Sequence, residues 1–116
     1  MNYIVTAAHR SEFPHPITLH RGQALVVGER YEGPEGWEDW FLCEAKGQQP
    51  GFVPAPVIGR DAQGGAFATE DYCARELDVD PGQPLRSVRT LNGWAWCVPE
   101  AGEAGWVPME KLRAAG

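Results

Sequence analysis

The sequence has no surplus of positive charge: ten Lys and Arg stand against sixteen Asp and Glu, a formal charge of −6. Nucleic-acid backbones and anionic membrane surfaces are bound by clustered Lys and Arg, so both are disfavoured as partners. The deficit is even along the chain, −3 over residues 1–59 (four basic against seven acidic) and −3 over the rest (six against nine). Long apolar runs are also missing. No segment approaches the length of a membrane span, and Met1 to Phe13 holds Tyr3, Ile4 and Val5 without the basic stretch and apolar run of a secretory leader. Cysteine is scarce, three in 116 residues and an odd number, which fits a reducing compartment better than a disulfide framework. A soluble, cytoplasmic chain is therefore expected. Helical periodicity is absent too: no window sustains three amphipathic turns with caps at its ends.

What the chain does have is punctuation and repetition. Fourteen Gly and ten Pro separate short β-prone runs, which predicts an all-β fold. Trp40, Cys43, Gly51, Val53 and Pro54 recur as Trp94, Cys97, Gly105, Val107 and Pro108, each pair 54 apart (105 − 51 = 54). Upstream, Ile17, Leu19, Gly22, Gln23 and Leu25 recur as Leu77, Val79, Gly82, Gln83 and Leu85, each 60 apart. The six extra residues of the first copy fall in the acidic loop 32–39, EGPEGWED, which carries Trp37. Repetition at this period predicts a small β-unit built twice. The expected division is residues 1–58, a linker at 59–66 (GRDAQGGA) and residues 67–116. Units this small are marginal alone, so close packing of the two is expected. Each reads as five short strands closing a barrel. In the second copy the order is plain: Leu85 to Val88, an Asn92-Gly93 hairpin turn, Trp94 to Val98, then Gly105 to Pro108 and a short 3₁₀ turn near Met109 to Arg113.

The second copy's DYxAxELxVxxGxxL at Asp71 to Leu85, followed by NGWxWC and GWVP, resembles the SH3 domain pattern, and the first copy follows the same order less fully. The whole chain thus resembles a tandem of bacterial SH3-like, variant SH3 domains. The resemblance implies five-stranded barrels with an aromatic groove that docks extended Pro-rich peptides. It assigns Trp40 with Pro54 and Trp94 with Pro108 to that groove, Tyr72 as a second aromatic, and Glu70, Asp71 or Glu76 as the acidic contact. Where peptide-binding members carry a further Tyr, this chain has Val57 and Lys111, and Glu70 stands where the first Tyr of the opening motif belongs.

Strand alternation puts Trp94, Trp96 and Val98 on one face and Ala95 and Cys97 on the other, by analogy the inner one. Cys43 and Cys97 are then matched core residues, the usual place of a free thiol. A nucleophilic Cys needs a His beside it in both copies, whereas His9, His15 and His20 all lie in the first. Spacings of six and five between these histidines fit no zinc motif. Cys73 is a bystander, and the PxxP at Pro81 to Pro84 coincides with the repeated Gly turn. No catalytic residue, metal or cofactor is expected. The expected function is a non-enzymatic module that docks a partner protein or an extended, Pro-rich or basic peptide on its Trp and Pro surfaces, with Glu35, Glu38, Asp39, Glu70 and Asp71 selecting Arg or Lys. The alternative is a structural or regulatory scaffold whose Trp surfaces are buried between the barrels, without a groove. Burial of Trp40 and Trp94 favours the scaffold; exposure favours the docking module.

Overall fold

The computed structural model describes residues 1–11, 15–32 and 39–115. Twelve strands run among them: β1 (Asn2–Val5), β2 (Thr18–Leu19), β3 (Ala24–Arg30), β4 (Trp40–Glu44), β5 (Gly51–Pro54), β6 (Ile58–Arg60), β7 (Ala66–Ala68), β8 (Tyr72–Cys73), β9 (Pro84–Leu91), β10 (Trp94–Val98), β11 (Gly105–Pro108) and β12 (Leu112–Ala114). Single 3₁₀ turns at Ala55–Val57 and Met109–Lys111 are the only helical elements among the described residues. The fold is all-β. The acidic loop's Trp37, Glu35 and Glu38 lie outside the described residues.

The chain divides into two compact units, but not where the repeat suggests. One unit is Met1–Pro14 together with Arg75–Gly116; the other is His15–Ala74, inserted between them. In the first, the sheet order is β11-β10-β9-β1-β12, all neighbours antiparallel. In the second it is β5-β4-β3-β7-β6, also antiparallel, with a separate ribbon of β2 and β8. The expected boundaries 1–58 and 67–116 are therefore replaced. Strand β1 belongs with the C-terminal residues, and β7 and β8 complete the inserted unit.

The expected linker is no linker either. Residues 59–66 form the tip of the β6–β7 hairpin, where the Asp61 carboxylate accepts backbone N–H bonds from Gln63 (2.9 Å) and Gly65 (2.8 Å). Asp bonding its own downstream backbone is a turn-forming device, and a Gly-rich composition here serves the turn rather than flexibility. Redividing the chain also redistributes charge. The inserted unit holds four basic and nine acidic residues, a net −5, and the other six and seven, a net −1.

Local chemistry explains the strands. Asn92 and Gly93 have φ of 44° and 89°, the pair of left-handed residues that a two-residue hairpin turn needs between β9 and β10. Beyond it, the β9–β10 register slips between Trp96 and Cys97, so Val88 has no partner and stands exposed. Ser87, buried beside this bulge, places its hydroxyl 3.0 Å from the Arg89 carbonyl and 3.1 Å from that of Trp96. The hydroxyl thus offers a donor where the ladder is interrupted. At Gly51 a Cβ would lie 2.6 Å from Ile17 Cγ2, and at Gly105 2.9 Å from Leu77 Cδ2. The repeated glycines therefore admit a matched apolar side chain from the segment opposite.

The core of the first unit is Val5, Val79, Leu85, Ala95, Cys97 and Val107, flanked by Leu77, Met109 and Leu112. Ala95 and Cys97 do face inward, as alternation predicts. The positions of the inserted unit that match five of these, Leu19, Leu25, Cys43, Val53 and Ala68, are buried as well, Phe41 at the place of Ala95 is half-buried, and Val57 is an additional buried residue where the first unit has Lys111. Burying a Val or Leu is worth about 1.5–3 kcal/mol, so a handful of such side chains supports each small unit.

Candidate functional site

Each unit carries one Trp–Pro pair, set face to face by strand register. Trp40 lies opposite Pro54 across β4 and β5, and Trp94 opposite Pro108 across β10 and β11. Direct cross-strand neighbours share a face, which is why the 54-residue repeat brings both pairs together. All four residues are buried: Trp40 is 6 % exposed and Trp94 8 %, and both prolines are below 2 %. A ring available to a ligand must leave a flat face to solvent, and neither indole does.

The remaining expected residues regroup. Tyr72, Glu70 and Asp71 fall in the inserted unit, with Trp40 and Pro54 rather than with Trp94 and Pro108. Tyr72 is buried and its hydroxyl donates to the Phe52 carbonyl at 2.9 Å. That bond ties β8 to β5 through a side chain. The ring of Phe52 meets Tyr31 edge-on, centroids 5.4 Å apart. Asp71 is exposed, and its carboxylate accepts the Arg21 backbone N–H at 2.8 Å, holding the turn that precedes β3. Asp39, in a left-handed conformation with φ 58°, lies 3.8 Å from Arg30. These acidic groups are therefore partly engaged in shaping their own loops.

Beside Trp94 is a cluster that the sequence reading missed. His9 Nε2 lies 2.7 Å from Glu76 Oε1, and His9 Nδ1 lies 3.1 Å from Lys111 Nζ. The tautomer carrying its proton on Nε2 satisfies both contacts, donating to the carboxylate and accepting from the ammonium. The imidazole meets the Trp94 indole edge-on, centroids 5.6 Å apart at 78°. Glu76, one of the expected acidic contacts, falls in the unit of Trp94, but its carboxylate is taken by His9. The placement of His9 in the first copy is thus corrected: it belongs with residues 75–116.

The signal for this cluster was present but faint. Val5, Thr6 and His9 match Ala68, Thr69 and Tyr72, each 63 apart (72 − 9 = 63), an offset different from both 54 and 60. Only Thr is shared by identity. The match shows in backbone bonds: the Thr6 N–H donates to the Lys111 carbonyl at 2.7 Å and the Thr69 N–H to the Val57 carbonyl at 2.8 Å. His9 pairs with Val79 as Tyr72 pairs with Leu19.

On the outer face of β10 and β11, Trp96 lies opposite Trp106, rings 5.2 Å apart and edge-on. Trp106 is buried and Trp96 half-buried. The matching positions of the inserted unit hold Leu42 and Phe52.

Two of the three thiols are shielded from solvent. Cys43 and Cys97 are fully buried, and burial pushes both up from the ordinary value near 9 to about 11; Cys97 donates to the Ala95 carbonyl at 3.6 Å. Cys73 is half-buried, 3.6 Å from the Thr18 hydroxyl. Among the described residues, no group of three or more His, Cys, Asp and Glu is arranged to hold a metal ion, and no helix is long and apolar enough to cross a membrane. The chain matches no protein-family profile, no curated protein and no solved structure.

Proposed function

We propose that this chain is a non-enzymatic protein-interaction scaffold made of two SH3-like barrels, in which the Trp–Pro pairs are structural rather than parts of an open peptide groove. The observation that carries this reading is the burial of both strand indoles and both prolines. An extended peptide gains its affinity for an aromatic groove from ring faces that are free before it arrives. Here Trp94 is already met by His9, and Tyr72 has already spent its hydroxyl on Phe52. The partner is a protein or an extended basic segment, and the charge of −5 on the inserted unit favours docking there over the nearly neutral unit.

The test is a titration of the isotope-labelled chain with pools of Pro-rich and Lys/Arg-rich peptides, read at the five Trp indole N–H signals and at the backbone amides. Expected are unshifted Trp40 and Trp94 indoles, and amide shifts confined to residues 15–74 with basic peptides, weakening as salt is raised. Saturable shifts of both indoles with Pro-rich peptides would restore the groove reading and sink this one.

A further inference from the structure

The two segments that close the units are equivalent in backbone terms. Residues 1–11 close one unit and residues 66–74 the other, and each makes the same bonds. Gly82 N–H donates to the Val5 carbonyl (2.8 Å) as Gly22 N–H donates to that of Ala68 (2.7 Å). The Thr6 and Thr69 bonds and the His9 and Tyr72 pairings repeat in the same way. A chain with two equivalent closing segments has two ways to close. In the uncrossed way, residues 1–11 close the frame of 15–60, and 66–74 close the frame of 75–114. The structure has the crossed way, each half of the chain completing the other's sheet.

Since the backbone frame serves either arrangement, side chains must choose. His9 sits between Glu76 and Lys111; the corresponding positions of the other frame are Pro16 (76 − 60 = 16) and Val57 (111 − 54 = 57), which offer neither carboxylate nor ammonium. Phe67 lies opposite Gly59, so close that a Cβ on Gly59 would be 2.6 Å from the ring. The corresponding pair is Ile4 opposite Arg113, where the Gly59 position is filled by a long side chain. Uncrossed closure would thus strip His9 of both polar partners and set Phe67 against Arg113.

We infer that residues His9, Glu76 and Lys111, together with Phe67 and Gly59, form a pairing code that selects crossed closure, and that each half of this chain, 1–63 and 64–116, is the strand-donating partner of the other. The interaction site on the C-terminal half is the gap between β9 and β12; on the N-terminal half it is the gap between β3 and β6. Each takes an extended segment of alternating apolar residues, and the first reads in addition a His four residues beyond the buried Val5. An unfilled gap exposes two rows of backbone donors and acceptors as well as the core, so the two halves hold one another by main-chain bonds and burial together.

The experiment is to place a protease site in the 61–65 turn of the full chain, cut it, and measure what remains associated. The expected result is a 1:1 complex of the two fragments at the mass of the uncut chain on native mass spectrometry, with the far-UV circular dichroism of the uncut protein. Fragments that come apart without denaturant, whether folded or unfolded, overturn the inference. A second measurement addresses the code: in the cut chain, Glu76→Gln with Lys111→Met should raise the dissociation constant of the fragments about tenfold or more, since each lost charge-assisted bond is worth about a factor of ten. The matched exposed pair Glu103→Gln with Lys46→Met should leave it unchanged. Equal effects of the two pairs would show that His9's partners select nothing.

Discussion

Truncating Trp94 separates a structural indole from a ligand-binding one. A buried Trp removes about 200 Å² from water, which at ~25 cal/mol per Å² amounts to ~5 kcal/mol. Trp94 is only 8 % exposed, so nearly all of that area counts. Ala keeps the Cβ and the surroundings relax in part, while the cavity and the lost His9 edge contact act in the other direction; measured Trp→Ala changes in cores fall at about 3–5 kcal/mol. Domains of this size have a total stability of about 5–15 kcal/mol, so the variant forfeits a large share of it. With a urea slope of ~1.5 kcal/mol per M, the midpoint of unfolding should fall by about 2–3 M. Circular dichroism is the suitable probe, because removing the indole alters the fluorescence itself. Trp96→Ala, taken from a half-buried position on the same face, should cost less than half as much. A Trp94→Ala midpoint within ~0.5 M of the parent would mean that the indole is not structural, and the scaffold reading would lose its foundation.

Other outcomes follow from the same geometry. Gly51→Ala should destabilise by about 1–3 kcal/mol, because its Cβ meets the branched Cβ of Ile17 at 2.9 Å as well as Cγ2, and chemical denaturation measures it. Val5→Ala should cost about 2 kcal/mol and lower amide-exchange protection in Leu85 and Cys97 rather than in Leu25 and Cys43, even though Val5 is nearer in sequence to the latter pair. An aromatic disulfide reagent at pH 8 should label one thiol per native chain, Cys73, and three after unfolding; rapid labelling of Cys43 or Cys97 would contradict their burial. The two buried thiols hold their protons up to about pH 11, whereas the unfolded chain releases them near 9. The native state then binds more protons, so stability is unaffected below pH 9 and falls as the pH rises from 9 through 11, which a urea series across that range measures.

The strand content and much of the detail could be read from residues alone. Asn92-Gly93, the inward Cys97, the 3₁₀ turn after Pro108 and the turn role of the Pro81–Pro84 segment follow from local rules about φ, alternation and punctuation. The site pairs Trp40–Pro54 and Trp94–Pro108 came from the SH3 resemblance, and the strand register sets the members of each pair opposite one another. What local rules cannot give is which strand completes which sheet. Residues 1–11 and 66–74 both have the alternation of a central strand, and a pattern of period two fits either frame equally. The choice rests on His9 finding Glu76 67 residues away and Lys111 102 residues away, distances over which sequence spacing carries no information. The same error moved Tyr72, Glu70 and Asp71 to the wrong Trp and hid the uneven charge of the units.

The pairing of β1 with β12 has a consequence for how the protein is made. Tyr3, Ile4 and Val5 leave the ribosome early, but their partners Leu112, Arg113 and Ala114 come some hundred residues later. At ordinary translation rates of ~5–20 residues per second that is a wait of about 5–20 s, during which this apolar segment lacks the frame that its side chains fit. Residues 15–74 complete their own sheet in the meantime, and so the nascent chain carries a finished unit behind an unfinished strand. For those seconds the segment is available to chaperones, to proteases and to the unfilled sheet of any neighbouring copy whose synthesis is further along.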